Sequence, residues 1–316
     1  MADRNALRGK LVVMVGGSGF FGHHAAQALL ECGARLRIAS RNPEKAFKLK
    51  PLANLGQLQF ARCDVTNPAS VSAAMQGADA VVNLVGAFDG DLMQLIAGGA
   101  GNVARAAKEA GATAMVHVSA IGADLNSEAD YAKAKAQSEI EVRAAFPRAS
   151  VLRPSLLFSE DGAFLSMLAG MIAALPVLPV FAPQARLQML FVDDAADALA
   201  NALADPAKHG GKIYEIAGNE AIGMLDLHQR IAAAQGRKRL FIEMPDTVSA
   251  IFAALPGTPM DSDQWILLKK GNLPAGNYPG ISNLGIEPRP LGLFLDRWME
   301  RYRKHGRFSQ QAARAS

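Results

Sequence analysis

Cysteine is nearly missing from this chain: Cys32 and Cys63 are the two in 316 residues. Set among apolar or helical neighbours at a spacing that suits no metal site, two thiols make no disulfide framework and point to a reducing compartment. Charge of one sign is also missing. Lysine and arginine total 33 against 29 acids, and the resulting +4 is scattered except for RWMERYRKHGRF near the end. So diffuse an excess is no nucleic-acid footprint, and nucleic acid is not expected as a partner. The lead MADRNALRGK is polar, and the apolar run after it stops at glycines rather than at a small-residue cleavage site, so no export signal is read there. Repeats and low-complexity tracts are absent. Only FLSMLAGMIAALPVLPVFA, residues 164–182, runs nineteen residues without a charge. Pro176 and Pro179 would break it where a bilayer offers backbone groups no other partner, so it reads as a buried helix followed by an apolar loop. A surface touching lipid or a hydrophobic partner is the lesser reading.

Half the residues are apolar and 20% charged, enough for one large α/β domain and a smaller one. Over residues 10–155 short β-branched runs alternate with helical patterns. The strands are KLVVMVG, ARLRIAS, QLQFARCDV, DAVVNLVGA, AMVHVSAIG and SVLRPSLLF. Helices are expected over 21–31, 68–76, 92–110 and 130–145. Strands without polar alternation need cover on both faces, which the helices supply, so the fold class is α/β, a Rossmann-type doubly wound parallel sheet. The dinucleotide-binding domain is placed at 1–158, rejoined by 188–218 through a helix at 194–204 and the strand GKIYEIAG. A smaller, mostly helical substrate-side domain takes 159–187 and 219–305, with loops at PGTPMD and NYPGISNLGIEPRP, and a basic tail covers 306–316.

The first strand ends in Gly16-x-x-Gly19-x-x-Gly22. In such a turn the first glycine permits the tight bend, the second lets backbone approach a pyrophosphate, and the third lets helix and strand pack closely. Ser18 and the free N–H groups around Phe20 and Phe21 complete the anion cradle. At the end of the second strand, where NAD sites carry a carboxylate for the ribose 2′-hydroxyl, stand Ser40, Arg41 and Asn42. A guanidinium there suits a 2′-phosphate, so NADP(H) is expected in preference to NAD(H); the plain alternative is a solvated arginine. Asp64, followed by Val65, is placed against the adenine amino group or as a loop cap, and Val85 and Gly86 against the cofactor's ribose.

Tyr131 and Lys135 lie four apart on a predicted helix and share a face, and Ser119 ends the fifth strand at the carboxyl edge where such sheets bind ligands. An ammonium and a cationic nicotinamide are expected to lower the phenol's pKa, while Ser119 holds a substrate carbonyl. Together these residues resemble the short-chain dehydrogenase/reductases in their extended or atypical branch. The glycine spacing, Asp64, Ser119, Tyr131-x-x-x-Lys135 and Arg153-Pro154 match over about residues 10–218. The resemblance implies that Ser119, Tyr131 and Lys135 are the catalytic set, that Lys135 also holds the nicotinamide ribose, and that residues after Pro154 approach the carboxamide. Ser159 departs from the glycine common in RPxxxxG.

LKPLANLGQLQFARCDV, VVNLVGA, AFPRASVLRPSLLF, and SDQWILLKKGNLP followed by LGIEP resemble a narrower family, the NADPH-binding accessory subunits of respiratory complex I, the NADH:quinone oxidoreductase. That resemblance extends into the C-terminal region, where generic reductases diverge. It implies peripheral-arm subunits of complex I as partners, a position near the membrane and the quinone site, and a nucleotide held outside the electron-transfer path as a structural element. It also implies a cytoplasmic location, peripheral on the inner face of the inner membrane for a bacterial chain, or the matrix side for a eukaryotic one; the lack of an Arg/Ser-rich presequence fits a bacterial or processed chain. Leu291, Phe294, Leu295, Trp298, Met299 and Tyr302 recur at helical spacing and form a face for headgroups, for a partner, or for the protein's own domain.

The alternative is a free-standing NADP-dependent reductase, epimerase or dehydratase using Ser119, Tyr131 and Lys135; a nucleotide sensor fits less well with an intact tyrosine–lysine pair. His23 and His24 are expected in solvent. Asp193, Asp194 and Asp197 lack metal-site geometry, and the first two read as helix caps. If Arg41 reads a 2′-phosphate, Arg41→Ala weakens NADPH by at least about tenfold more than NADH in a titration; equal losses rule that role out.

Overall fold

Short apolar runs without polar alternation are buried only if both faces of their sheet are covered, and the chain folds accordingly. The computed structural model describes residues 4–255 and 260–304. The expected tail at 306–316 and the start of the PGTPMD loop lie outside the described residues. By its contacts the chain divides into two units. The first comprises residues up to Pro154, Val192–Ile216 and Pro274–Glu287; the second comprises Ser155–Phe191, Ala217–Leu273 and the residues from Pro288 onward.

In the first unit β1 (Leu11–Val15), β2 (Arg35–Ser40), β3 (Leu58–Arg62), β4 (Ala80–Asn83), β5 (Ala114–Val118), β6 (Ser150–Pro154) and the strand Ile213–Ile216 form one sheet. Its order runs from Ile213–Ile216 through β6, β5, β4, β1 and β2 to β3, and every neighbouring pair is parallel. All five residues of β1 and of β5 are buried. Successive strand residues point to opposite faces. Val13 and Val15 therefore join a cluster with Val81 and Met115 beneath α2 (Pro68–Met75), α3 (Gly99–Glu109) and α4 (Asp130–Ala145), while Val12 and Met14, equally buried, face the other way. α1 (Phe20–Glu31) packs on the helix Val192–Ala204. The chain winds outward through β2 and β3, then returns to place β4 on the other side of β1. That reversal opens a crevice at the carboxyl ends of β1 and β4.

Local chemistry sets the boundaries. Asn67 caps α2, its side chain accepting from the N–H groups of Ala69 and Ser70, and Pro68 fills the first turn, where its missing N–H costs nothing. The helix expected over 92–110 differs at its start: Met93–Gly98 is a π-helical turn before α3.

The second unit contains helices Ala163–Ala174, Met224–Ala234, Asp246–Ala254, Ser262–Lys270 and Gly292–Met299. Its strand content was not anticipated. The apolar segment after the first of these helices is no loop, because Val177–Val180 pairs in parallel with Leu240–Glu243. Burial there alternates, with Leu178 and Val180 inside and Val177 and Pro179 outside, the period-2 pattern of a half-covered strand. The C-terminal apolar face is also spoken for. Leu295, Trp298 and Met299 are buried, and Phe294 stacks on Trp298 at 4.9 Å and on Phe191 at 4.3 Å. The helix therefore packs on its own unit rather than presenting that face to headgroups or a partner. Among the described residues no helix is long and apolar enough to cross a membrane.

One contact in the first unit has no slack. A Cβ on Gly22 would lie 2.5 Å from the Gly17 carbonyl oxygen, and that neighbour is backbone. Gly22→Ala is expected to cost about 1–3 kcal/mol of unfolding free energy, measured by denaturant titration; wild-type stability would show that the turn and α1 can separate freely.

Candidate nucleotide-binding site

The glycine turn joins β1 to α1 and touches the end of β4. Gly16 has φ +79°, and a Cβ there would stand 3.1 Å from the Leu84 carbonyl carbon and 3.2 Å from the Val85 nitrogen. Gly19 is the N-cap of α1 and offers no side-chain cap. Its missing Cβ would face only the Gly16 carbonyl oxygen, at 3.5 Å, which leaves room for a phosphate beside the first turn. Ser18 and Phe21 are half-buried and Phe20 exposed. The two histidines that follow are not simply solvated. His23 Nδ1 meets the Gly19 carbonyl at 2.7 Å, and His24 Nδ1 meets Asp193 Oδ1 at 2.6 Å. Asp193 thus ties its helix to α1, a correction to its reading as a cap, and Asp194 is buried. The described residues contain no cluster of acids, histidines and cysteines able to hold a metal ion.

At the end of β2, Ser40 is buried and its Oγ has no hydrogen-bond partner among the described residues. A buried orphan of this kind costs stability unless something else satisfies it. Arg41 and Asn42 beside it are exposed. Asp64 Oδ1 accepts from the Thr66 N–H at 3.0 Å and the Thr66 hydroxyl at 2.8 Å. These bonds hold its carboxyl below the usual range, with a lesser contribution from the Arg41 charge. Val65 is buried next to it.

Lys135 is 2% exposed, and its Nζ donates to the Val85 carbonyl at 3.0 Å and the Val118 carbonyl at 2.9 Å. A Cβ on Gly86 would stand 3.9 Å from that Nζ. The lysine therefore gathers the β4 turn, the β5 end and α4. Ser119, directly after Val118, is buried, and its Oγ has no partner among the described residues. Tyr131 lies one turn before Lys135, whose Nζ is 5.7 Å from the tyrosine ring centre. The Phe88 ring stacks on Tyr131 at 4.6 Å with 15° between planes. Burial, not the ammonium, governs the phenol: its pKa is pushed up to about 12, opposite in direction to the sequence expectation. Pro154 ends β6, and its carbonyl takes the Ile121 N–H at 3.1 Å. Ser159, in the second unit, is buried and donates to Asp161.

Comparisons with known proteins bear on the nucleotide-binding region and on the fold. A family model described as NAD(P)H-binding matches residues 16–166. The chain is similar in fold to an NADPH-dependent quinone oxidoreductase of Escherichia coli solved with NADPH, at TM-score 0.75 and 22% identity over 90% of this chain and 99% of that one. This is a Rossmann fold. In sequence it is similar to NADH dehydrogenase [ubiquinone] 1 alpha subcomplex subunit 9, mitochondrial, of Rattus norvegicus, 27% identical over 314 residues, 96% of this chain and 83% of that protein. It is also similar to a ceramide reductase of Caulobacter vibrioides, 26% identical over 75% of this chain and 74% of that protein.

Glu139, His117 and Phe88, which sequence reasoning passed over, support this edge of the sheet together with Arg153, read there only as part of the Arg153-Pro154 pair. Glu139, one turn beyond Lys135, binds Arg153 through both oxygens at 2.8 Å, and its spacing on α4 was the signal available. Arg153 also reaches Glu215 at 3.5 Å. Burial opposes the Arg153 charge, but Glu139 outweighs it and the guanidinium pKa is raised. His117 is fully buried in β5 and Phe88 covers Tyr131; a strand histidine and a loop phenylalanine carry no motif.

The lysine gives the edge a pH dependence. Burial lowers the Lys135 pKa from 10.5 to about 8, with Glu139 opposing less strongly. An ammonium has three N–H donors; two are taken by carbonyls, which leaves one for a bound ligand. A neutral amine has two, and none is left. Because the folded pKa lies below the unfolded one, the buried charge costs stability below about pH 8, and that cost is relieved as pH rises towards 10.5. Nucleotide affinity runs the other way. It is expected to fall between about pH 7 and pH 9 in the wild type and to show no such step in Lys135→Met, by fluorescence titration with NADPH; a step of equal size in both proteins would assign it to another group.

Proposed function

We propose that this chain is an NADP(H)-binding accessory subunit of respiratory complex I in which the nucleotide is mainly a structural element. The observation that carries this reading is the extent of the similarity to the complex I subunits, 96% of this chain in the rat protein, running beyond the nucleotide-binding region into the second unit. In this reading Gly16, Ser18, Gly19, Phe20, Phe21 and Gly22 cradle the pyrophosphate, and Ser40, Arg41 and Asn42 take the 2′-phosphate. Asp64 and Val65 border the adenine. Val85, Gly86, Ser119, Tyr131, Lys135 and Pro154 surround the nicotinamide half. The orphaned Ser40 and Ser119 hydroxyls and the open space at Gly19 fit a ligand laid along this edge. Bound there, NADPH would supply a hydride; the protein's own groups bind and cover it. The partners proposed are peripheral-arm subunits near the quinone site, with the chain at the membrane surface rather than through it.

A second reading, a free-standing NADP-dependent reductase, epimerase or dehydratase, is favoured by the intact Ser119, Tyr131 and Lys135 set and by the ceramide reductase similarity. Purification of complex I from the native membrane separates the two. The accessory-subunit reading expects the chain to co-migrate with the complex, to retain NADPH through gel filtration and to leave it unoxidised when carbonyls or quinones are added. A wholly soluble protein that turns over such an acceptor rapidly would overturn it in favour of the enzyme.

A further inference from the structure

Three fully buried polar side chains, Asn83, His117 and Ser138, lie among the apolar residues of β4, β5 and α4. Their hydrogen bonds have one consistent direction. The Val85 N–H donates to Asn83 Oδ1 at 3.2 Å, which fixes the amide so that its Nδ2 faces His117 Nδ1 at 3.1 Å. An amide nitrogen only donates, so Nδ1 accepts and the ring proton sits on Nε2. Nε2 then donates to Ser138 Oγ at 2.9 Å, and the serine hydroxyl donates to the Lys135 carbonyl at 2.7 Å. The chain begins at the Val85 peptide and ends at the Lys135 peptide, the same two residues joined by the Lys135 ammonium and the Val85 carbonyl. The circuit is closed, and every member has its partner.

We propose that His117 is a positioning residue that, through Asn83 and Ser138, sets the β4 turn and α4 at the spacing that lets Lys135 and Gly86 hold the nicotinamide-ribose half of the nucleotide. This rests on the nucleotide-holding reading. The imidazole is suited to the task because it accepts at one nitrogen and donates at the other across the gap between two elements, which no apolar side chain could do. A ring protonated at both nitrogens would set two donors against each other at Asn83. Burial, with the Lys135 charge adding to it, pushes the His117 pKa down to about 3, so the neutral ring is the working form. Loss of the circuit should be felt at one end of the ligand only. The adenosine end is held by the glycine turn and the end of β2; the circuit meets the turn only at Val85, whose nitrogen lies beside Gly16, and does not reach the end of β2.

The test compares two ligands on nucleotide-depleted protein: NADPH, and 2′,5′-ADP, which lacks the nicotinamide half. In His117→Leu, NADPH is expected to bind about tenfold more weakly while 2′,5′-ADP stays within about twofold of wild type. His117→Gln, with an acceptor and a donor on one amide, is expected to restore NADPH to within about threefold. Ser138→Ala, which removes a link without a volume change in β5, is expected to weaken NADPH alone and serves if His117→Leu does not fold. Equal weakening of both ligands would mean a merely structural histidine, and folded variants with unchanged NADPH affinity would also overturn the proposal. A wild-type protein that bound neither ligand would instead sink the nucleotide reading on which it rests.

Discussion

An ammonium buried at the edge of a parallel sheet must find oxygen, and Lys135 finds it in two peptide carbonyls, Val85 in the turn after β4 and Val118 at the end of β5. At that edge strand carbonyls run out of ladder partners, so Val85 and Val118 have lone pairs to give, and one side chain from α4 satisfies both. This bond pair fixes more than the lysine. It sets the height of α4 over the sheet, hence where Tyr131 stands, and it holds the backbone beside Gly86 close to the amine. A shorter side chain could not span the distance. An apolar one would leave two carbonyls unsatisfied at a cost of about 1–3 kcal/mol each.

Charge balance around that ammonium is the next requirement. Lys135, Glu139, Arg153 and Glu215 alternate in sign from α4 across β6 to the last strand of the sheet, and sum to zero. Arg153 lies between the two acids at 2.8 and 3.5 Å and under the ring of Tyr278 at 4.7 Å. Glu215 is completed by the Ala275 N–H at 2.6 Å. Removing one member of such a buried set leaves an uncompensated charge, typically about 3–5 kcal/mol, whereas the net contribution of the intact set is far smaller. Its role is therefore arrangement. Of these residues Glu139 also opposes the burial that lowers the Lys135 pKa, without cancelling it.

The sheet was legible in the sequence because both faces of a parallel sheet are covered: the runs at β1, β4 and β5 lack polar alternation, with β1 apolar throughout and β4 and β5 interrupted only by Asn83 and His117. The glycine turn was legible because each of its three positions answers a separate steric demand. The Tyr131 and Lys135 pair was legible through helical spacing. What stayed hidden depends on contacts across sequence rather than on local pattern. Val177–Val180 carries two prolines' worth of loop signal in its neighbourhood, yet it pairs because Leu240–Glu243 comes alongside. The His117 circuit spans residues 83 to 138 and has no spacing to recognise. The phenol's pKa went the wrong way because sequence shows the lysine nearby and does not show the burial that outweighs it.

Holding a dinucleotide and using it place different demands on one site, and here the two directions of hydride transfer meet different obstacles. Oxidation of an alcohol needs a phenolate to take its proton, and with the Tyr131 pKa at about 12 that form is scarce near neutrality. That direction uses the oxidised nucleotide, whose cationic nicotinamide would work against the effect of burial; NADPH carries no charge on that ring. Reduction of a carbonyl needs only the neutral phenol, which is present, but the acceptor must reach it. Phe88 lies flat on one face of the Tyr131 ring, where a planar acceptor would otherwise stack. Burial thus works against one direction through acidity and Phe88 covers one face of the ring, while neither involves the glycine turn or the end of β2. Affinity and turnover are separable in this architecture, and a protein can keep the residue types of a reductase while serving as a holder of its cofactor.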